Sequence, residues 1–319
     1  MGGETLMAII RLSDTFRSAS QDPTDVQYYI WYDADEAPKA CLQLTHGVAC
    51  YIDRYEELAR FFVKNGYAVC GMDNLGHGRT AGLERLGIMP DDGADAVIED
   101  MHTLTGIMKE KFPGLPYILH GHSLGSIYAR CYCIKWSDEL DGAIWEGSGW
   151  VPSLVTKLVP VMQKMSETGG PENSNKLMAD AGNVILDLGI FPPETLLAWL
   201  SKDKVNQKLY IADPYNGAPA SNSMNRVLIE NLAKCSKKDW FRSIRHDLPV
   251  FICSGDKDPI GLWSFGIRRL FLTCVDYLDN MTFKLYDGRH EIHNDFCKDE
   301  VYRDLLDFCN EVADGIYKA

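Results

Sequence analysis

The sequence predicts an α/β fold in which a mostly parallel sheet is covered by helices and carries an inserted helical segment. Along most of the 319 residues, short apolar runs alternate with stretches of helical periodicity, which is typical of parallel sheets. The alternation lapses between Gly147 and Pro249, where the apolar residues follow a helical period. We therefore expect a core in two parts, residues 1–148 and 249–319, and a helical cap at residues 149–248.

Seven strands and five helices are predicted in the core. The strands are centred near Tyr28, Leu42, Val69, Ile118, Ile144, Phe251 and Phe283. The helices extend from Arg54 to Lys64, from Ala94 to Lys111, from Ser126 to Trp136, from Leu262 to Leu278 and from Lys298 to Ile316. Because a helix between two strands carries the chain back to the starting end of the sheet, most strands run parallel. Their carboxyl ends then share one edge, which the cap would cover.

The pattern Gly121-His122-Ser123-Leu124-Gly125 joins a predicted strand directly to a predicted helix. In this context the two glycines permit a sharp turn that leaves the serine hydroxyl exposed above the sheet. Ser123 is therefore the candidate nucleophile, and the backbone N–H of Leu124 is a candidate donor to an oxyanion. We expect His122 to point away from the exposed face.

A candidate acid follows the strand near Phe251, in the turn-rich stretch Ser254 to Pro259. Asp256 and Asp258 are separated by one residue, so both cannot project the same way from an extended segment. The spacing of the G-x-x-D pattern that begins at Gly255 favours Asp258, and Asp256 remains the alternative.

A candidate base follows the strand near Phe283, where a short turn leads into His290. Serine is a poor nucleophile at neutral pH, so a neutral imidazole must take its proton. A carboxylate must in turn hold the imidazole in the correct tautomer. Ser123, Asp258 and His290 therefore indicate acyl transfer through a covalent acyl-enzyme, and this chain order is typical of the strand-to-helix turn described above.

Further segments match one known family in order. They are Thr45-His46-Gly47-Val48, Arg54-Tyr55-Glu56-Glu57-Leu58-Ala59, the loop Asp73 to Thr80 and His290-Glu291-Ile292-His293-Asn294-Asp295. The chain resembles the monoglyceride lipase and lysophospholipase branch of the α/β-hydrolase superfamily, also called the serine aminopeptidase-like hydrolases. The match runs from about Val26 to the C-terminus, and residues 1–24 have no counterpart.

The resemblance implies an α/β-hydrolase fold and assigns roles to several residues. It implies that Val48 is the second backbone donor to the oxyanion and that His46 is structural. It also places the base at His290 rather than at His293, because the histidine comes first in the family motif. The implied activity is hydrolysis of single-chain lipid-like esters, such as monoacylglycerols or lysophospholipids, without a cofactor.

In the cap, Leu154, Leu158 and Met162 recur at helical spacing. They are candidates for the wall of an acyl-chain channel, although packing within the cap explains the same stripe. A metal site is the alternative for His290 and His293, but H-E-x-H is not the zinc motif H-E-x-x-H, and no metal is expected.

The amino-acid composition limits the kinds of ligand and cellular compartment that are expected. A formal net charge of -13 disfavours binding to nucleic acid, so a small acyl ester is the expected ligand. Ten scattered cysteines without a C-x-x-C pair indicate reduced thiols and a cytoplasmic protein. The apolar runs are too short for a signal peptide or a membrane span, so no stable membrane anchor is expected. Nothing in the sequence indicates the oligomeric state.

Two other function classes stay open at this point. The family's second name allows a peptidase or amidase. A non-catalytic ligand-binding protein on the same scaffold is the third possibility, and the complete set of Ser123, Asp258 and His290 argues against it. The sequence also leaves open whether water or an alcohol accepts the acyl group.

Overall fold

The computed structural model describes residues 8–174, 176–188, 190 and 195–317. In the described part of the chain, eight strands form one sheet: β1 (Ile9–Arg17), β2 (Asp25–Asp33), β3 (Ala40–Thr45), β4 (Tyr67–Met72), β5 (Tyr117–His122), β6 (Gly142–Glu146), β7 (Val250–Gly255) and β8 (Met281–Tyr286). Their order across the sheet is β1-β2-β4-β3-β5-β6-β7-β8. Strands β3 to β8 are parallel, and β1 and β2 are antiparallel to their neighbours. The predicted fold class is confirmed.

Helices cover both faces of the sheet. They are α1 (Glu56–Lys64), α2 (Gly78–Ala81), α3 (Gly93–Lys111), α4 (Leu124–Trp136), α5 (Val159–Gly169), α6 (Lys176–Leu186), α7 (Lys204–Ala212), α8 (Asn222–Lys234), α9 (Phe265–Cys274) and α10 (Lys298–Ala313). For residues 176–178, 181 and 182 of α6, the structure describes the backbone only. No helix within the described ranges is both long and apolar enough to span a bilayer.

Two predictions about these elements were incomplete. The helix predicted from Leu262 begins only at Phe265, because Leu262, Trp263 and Ser264 have positive φ angles of 51°, 49° and 67° that an α-helix does not admit. Strand β1 lies in the region for which the sequence indicated no element. Its residues are mostly exposed, so they lack the alternation of apolar and polar side chains that identifies a half-buried strand.

In the part of the chain that the structure describes, the core consists of two buried clusters, one on each face of the sheet. Alternate residues of a strand point to opposite faces, and β4 illustrates this. Tyr67 and Val69 pack with residues of α1 and α10, whereas Ala68 and Cys70 pack with residues of α3 and α4. Because both faces are covered, the central strands β3 to β7 are buried throughout, whereas the edge strands β1 and β8 are not.

Helices α5 to α8 lie between β6 and β7, where the sequence predicts the cap. Helix α5 packs against α8, and α8 packs against α3 and α4 of the core. The cap boundaries at residues 149 and 248 stay a prediction.

Candidate active site

Ser123 lies at the turn between β5 and α4 in a strained backbone conformation. Its φ and ψ are 55° and -119°, a combination that residues with a side chain rarely adopt. The positions of Gly121 and Gly125 must be glycine, because a side chain at either one would not fit. A Cβ at Gly121 would lie 2.2 Å from the carbonyl oxygen of Gly125, and one at Gly125 would lie 2.1 Å from the carbonyl oxygen of Thr45. The turn therefore depends on both glycines and presents the serine at the carboxyl edge of the sheet.

Asp258 and His290 meet at the same edge, in the loops that follow β7 and β8. His290 Nδ1 lies 2.9 Å from Asp258 Oδ2, and both side chains are buried. The Asp258 carboxylate also accepts hydrogen bonds from the Ser254 hydroxyl at 2.8 Å and the Ile260 N–H at 2.9 Å. A carboxylate only accepts here, so Nδ1 carries the proton and Nε2 is left with a lone pair.

The charges of this pair stabilise each other. Burial alone would lower the pKa of His290, but the Asp258 carboxylate outweighs burial, and the net effect is a raised pKa. Burial alone would raise the pKa of Asp258, but the interactions with His290, Ser254 and Ile260 hold it below its usual range. Asp258 is therefore ionised over the whole neutral range.

The two histidines of the motif after β8 have different partners. His293 Nδ1 is hydrogen-bonded to Glu146, which also binds His120 Nε2 at 2.8 Å. His122, Glu146 and His293 together have donor atoms close enough to hold a metal ion. Both Glu146 oxygens already take part in these hydrogen bonds, so the present arrangement is a hydrogen-bonded cluster. His290 alone of the two faces Asp258.

Ser123 and His290 line one cavity of about 270 Å³. In the part of the chain that the structure describes, no hydrogen bond joins the Ser123 hydroxyl to His290 Nε2, and His290 uses Nδ1 for Asp258. Catalytic hydrogen bonds of this kind are often long in enzymes without substrate and tighten when substrate binds. The shared cavity is the geometric link between the candidate nucleophile and the candidate base.

Two backbone N–H groups are available beside Ser123. The turn after β3 approaches the serine closely, since a Cβ at Gly47 would lie 3.1 Å from Ser123 Cβ. Val48 follows in this turn and lines the cavity, and Leu124 is the first residue of α4. Among the described residues, neither the Val48 nor the Leu124 N–H donates a backbone hydrogen bond. Both are therefore free to bind an oxyanion, and the N-terminus of α4 favours negative charge.

His46 braces this turn. Its Nδ1 lies 2.7 Å from the carbonyl oxygen of Gly47, and its Nε2 accepts the N–H of Asn74 at 2.9 Å. Burial, reinforced by the neighbouring His77, lowers the pKa of His46 well below its ordinary value. A neutral histidine with both ring nitrogens engaged fits the structural role that the family resemblance implies.

The wall of the cavity differs from the prediction. Leu154, Leu158 and Met162 are not among the described residues that line it. The segment from Ser153 and helix α5 pack on the side of α8, which leaves Leu154 63% exposed and Leu158 42% exposed. The inserted segment contributes these side chains instead: Ala179, Asn183, Leu186, Leu197, Trp199, Leu200, Tyr210, Ala218, Pro219 and Ala220.

His122 was also wrongly placed by the sequence. It lines the cavity beside Ser123, and its Nε2 lies 3.2 Å from the carbonyl oxygen of His290. The inserted segment adds another contact to the same loop, because the carbonyl oxygen of Trp199 accepts the His290 N–H at 3.3 Å. Sequence patterns cannot identify these contacts, since each joins segments more than 90 residues apart.

Comparison with known proteins identifies the family of the chain. Residues 36–296 match the model of the family described as "Serine aminopeptidase, S33". A monoacylglycerol lipase of Mycolicibacterium smegmatis is 31% identical over 282 residues, which cover 85% of this chain and 87% of that protein. A monoglyceride lipase homolog of Monkeypox virus is 38% identical over 276 residues, covering 84% and 87%. The crystal structure of a carboxyl esterase from Bacillus coagulans superposes with a TM-score of 0.87 at 28% identity, covering 96% of this chain and 99% of that one.

Proposed function

Because the chain belongs to the serine aminopeptidase S33 family of α/β-hydrolases and is a serine ester hydrolase, we propose that it cleaves single-chain lipid-like esters. The proposed substrates are monoacylglycerols or lysophospholipids. The observation that carries the proposal is the small cavity, about 270 Å³, into which Ser123 and His290 both open between largely apolar walls. This volume lies near the lower end of ligand pockets, so it suits one chain rather than three.

In the proposed acylation step, His290 Nε2 takes the proton of Ser123 as the hydroxyl oxygen attacks the ester carbonyl carbon. The N–H groups of Val48 and Leu124 bind the negative oxygen that forms. His290 then gives its proton to the leaving alcohol, and the C–O bond breaks to leave an acyl group on Ser123. Asp258 stabilises the imidazolium that exists between these proton transfers.

Deacylation repeats the sequence with water. His290 takes a proton from water, the resulting hydroxide adds to the acyl carbon, and the proton returns to Ser123 as the fatty acid leaves. The acid-base work uses protein groups only, so the proposed cycle needs no metal or organic cofactor. In this proposed cycle, Ser123 is the nucleophile, His290 is the base and Asp258 is the acid that orients it.

We also propose that the protein works in the cytoplasm. All ten cysteines are free, and nine of them are buried. Cys131 and Cys235 remain separate thiols although their sulfur atoms lie 3.5 Å apart. Free thiols in this number suit a reducing compartment.

The rate should depend on pH through His290. The base must be neutral, and its pKa is raised, so kcat/KM should fall as pH decreases through a midpoint above the ordinary histidine value of about 6.5. Asp258→Asn removes the charge that raises this pKa, so the midpoint of the residual activity should move to lower pH. Steady-state kinetics from pH 5 to pH 9 give both midpoints. A profile that is flat through this range, with chemistry rate-limiting, contradicts a histidine base.

The chain-length preference tests the proposed substrate class. For p-nitrophenyl esters, kcat/KM should rise from acetyl to medium-length acyl groups, by at most about fourfold per buried methylene, and triacylglycerol should be a poor substrate. Leu186→Ala removes part of the cavity wall and should flatten the preference. Leu272→Ala, on α9 and 66% exposed, is the matched control and should leave it unchanged.

Two outcomes of this series would count against the proposal. A maximum at acetyl, with steady decline as the chain lengthens, would indicate a small-ester hydrolase. Turnover of aminoacyl arylamides without turnover of esters would indicate the peptidase class that the family description also covers.

A further inference from the structure

We propose that Tyr55 and His122 are positioning residues that hold the oxyanion turn and the loop of the catalytic base in register through one chain of three hydrogen bonds. The proposal rests on the proposed function, because it assigns Val48 and His290 to acyl transfer. The chain of hydrogen bonds, here called the relay, begins at the backbone N–H of Gly47 and ends at the backbone carbonyl of His290.

Three contacts define the relay. The Gly47 N–H donates to the Tyr55 hydroxyl oxygen at 3.3 Å. The Tyr55 hydroxyl oxygen lies 2.8 Å from His122 Nδ1, and His122 Nε2 lies 3.2 Å from the carbonyl oxygen of His290. Tyr55 and His122 are 1% and 2% exposed, so water does not compete for these groups.

The two backbone ends, together with the neutral ring of His122, fix the direction of every proton in the relay. A carbonyl oxygen only accepts, so His122 Nε2 must carry a hydrogen. Burial and the neighbouring histidines lower the pKa of His122 to about 3, so the ring is neutral and its Nδ1 only accepts. The Tyr55 O–H must therefore donate to Nδ1. Its oxygen lone pairs then face the Gly47 N–H, which can only donate.

The relay connects three segments that lie far apart in the sequence. Gly47 directly precedes Val48 in the turn after β3, His122 directly precedes Ser123 after β5, and His290 follows β8. The Val48 N–H, the Ser123 hydroxyl and the His290 ring therefore each belong to a residue of the relay or to its direct neighbour. Catalytic geometry is sensitive at this scale, since a displacement of about 1 Å can reduce the rate about 100-fold.

Buried hydrogen bonds also stabilise folds without affecting catalysis, and that alternative makes a different prediction. A purely structural pair would, when broken, lower the melting temperature and leave kcat of the folded enzyme unchanged. A positioning pair would lower kcat while KM stays nearly constant, because substrate still enters the same cavity. The relay also predicts non-additivity, since a second break in one chain removes nothing further.

The test compares three substitutions with one control. Tyr55→Phe removes the central hydroxyl. His122→Asn places an amide near Nδ1 and loses the donor to the His290 carbonyl, whereas His122→Gln places its amide nitrogen near Nε2 and can keep that donor. Tyr67→Phe is the matched control, because Tyr67 is equally buried and donates to Asn310 at 2.9 Å, away from the cavity.

With a medium-chain p-nitrophenyl ester, Tyr55→Phe and His122→Asn should each reduce kcat about 10-fold to 100-fold, with KM changed less than about threefold. His122→Gln should recover a large part of the loss, and the double variant of Tyr55→Phe with His122→Asn should be no slower than the slower single variant. Tyr67→Phe should keep the wild-type kcat. Unchanged kcat in the first two variants, or equal losses in Tyr67→Phe, would overturn the proposal.

A second measurement separates failure of the relay from failure of the proposed function. Nitrogen-15 NMR of the wild-type protein should find the neutral Nε2–H tautomer of His122 from pH 5 to pH 8, and Tyr55→Phe should shift its Nδ1 signal. If wild-type protein hydrolyses no ester, the proposed function fails, and the relay is then judged by this tautomer and by the rate of fluorophosphonate labelling in the same variants. An Nδ1–H tautomer would refute the relay even in a fully active enzyme.

Discussion

Ser123→Ala is expected to reduce kcat for ester hydrolysis by a factor on the order of 10⁵ to 10⁶, because no other side chain in the strained turn after β5 can form the acyl-enzyme. His290→Ala should cost a similar factor, since Ser123 without a base stays protonated. Ser123→Ala should fold, because the glycines that shape the turn are retained. His290→Ala leaves the buried Asp258 carboxylate without its partner, so the melting temperature of this variant is measured together with its activity. Single-turnover and steady-state assays on the purified variants measure the loss.

The double variant of Ser123→Ala with His290→Ala tests whether the two residues act together. If the two residues act as one unit, removing both should be scarcely worse than removing either. Multiplied losses would mean that they act independently, and the assignment of His290 as the base of Ser123 would be wrong. Ser236→Ala, a buried serine whose hydroxyl donates to the carbonyl of Ala233, is the matched control and should leave kcat unchanged.

Asp258→Asn should reduce kcat roughly 10⁴-fold, the second-largest effect. The amide keeps the shape of the side chain but removes the charge that stabilises the imidazolium, and its NH₂ group can favour the wrong tautomer of His290. Asp256→Asn is the matched control two residues away. Asp258 is completely buried and contacts His290, whereas Asp256 is only partly buried, so Asp256→Asn should change kcat less than about threefold.

Kinetics on the two asparagine variants, with melting temperatures to verify folding, decide between the aspartates. The reverse order of the two losses would assign the orienting acid to Asp256 and would require the loop after β7 to rearrange when substrate binds. Equally small losses of kcat in both variants would mean that neither aspartate acts as the orienting acid.

The parts of the site that the sequence could predict are those determined locally. Ser123 is a candidate because the strand, the turn and the helix around it are consecutive, and the turn needs glycine at both flanks for steric reasons that any sequence must satisfy. Asp258 and His290 are candidates because each follows an apolar strand whose end must lie at the same edge, and the structure brings the two side chains into contact there. The parallel sheet follows from the alternation of strands and helices in the same way.

Orientation is what the sequence could not supply. Helical spacing shows that Leu154, Leu158 and Met162 share a face, but it does not show where that face points, and the structure directs it away from the cavity. Tyr55 and His122 carry no signal for their relay, because their partners come from distant segments. Strand β1 was missed for a related reason, since an exposed edge strand needs no apolar alternation.

The most direct test of the central claim is fatty acid release from a medium-chain monoacylglycerol by the wild-type protein and Ser123→Ala, assayed side by side with a triacylglycerol of the same chain. The account predicts rapid release from the monoacylglycerol by wild-type protein, much slower release from the triacylglycerol, and release at the uncatalysed background by Ser123→Ala. Equal release by wild-type protein and Ser123→Ala, or faster release from the triacylglycerol, would contradict it.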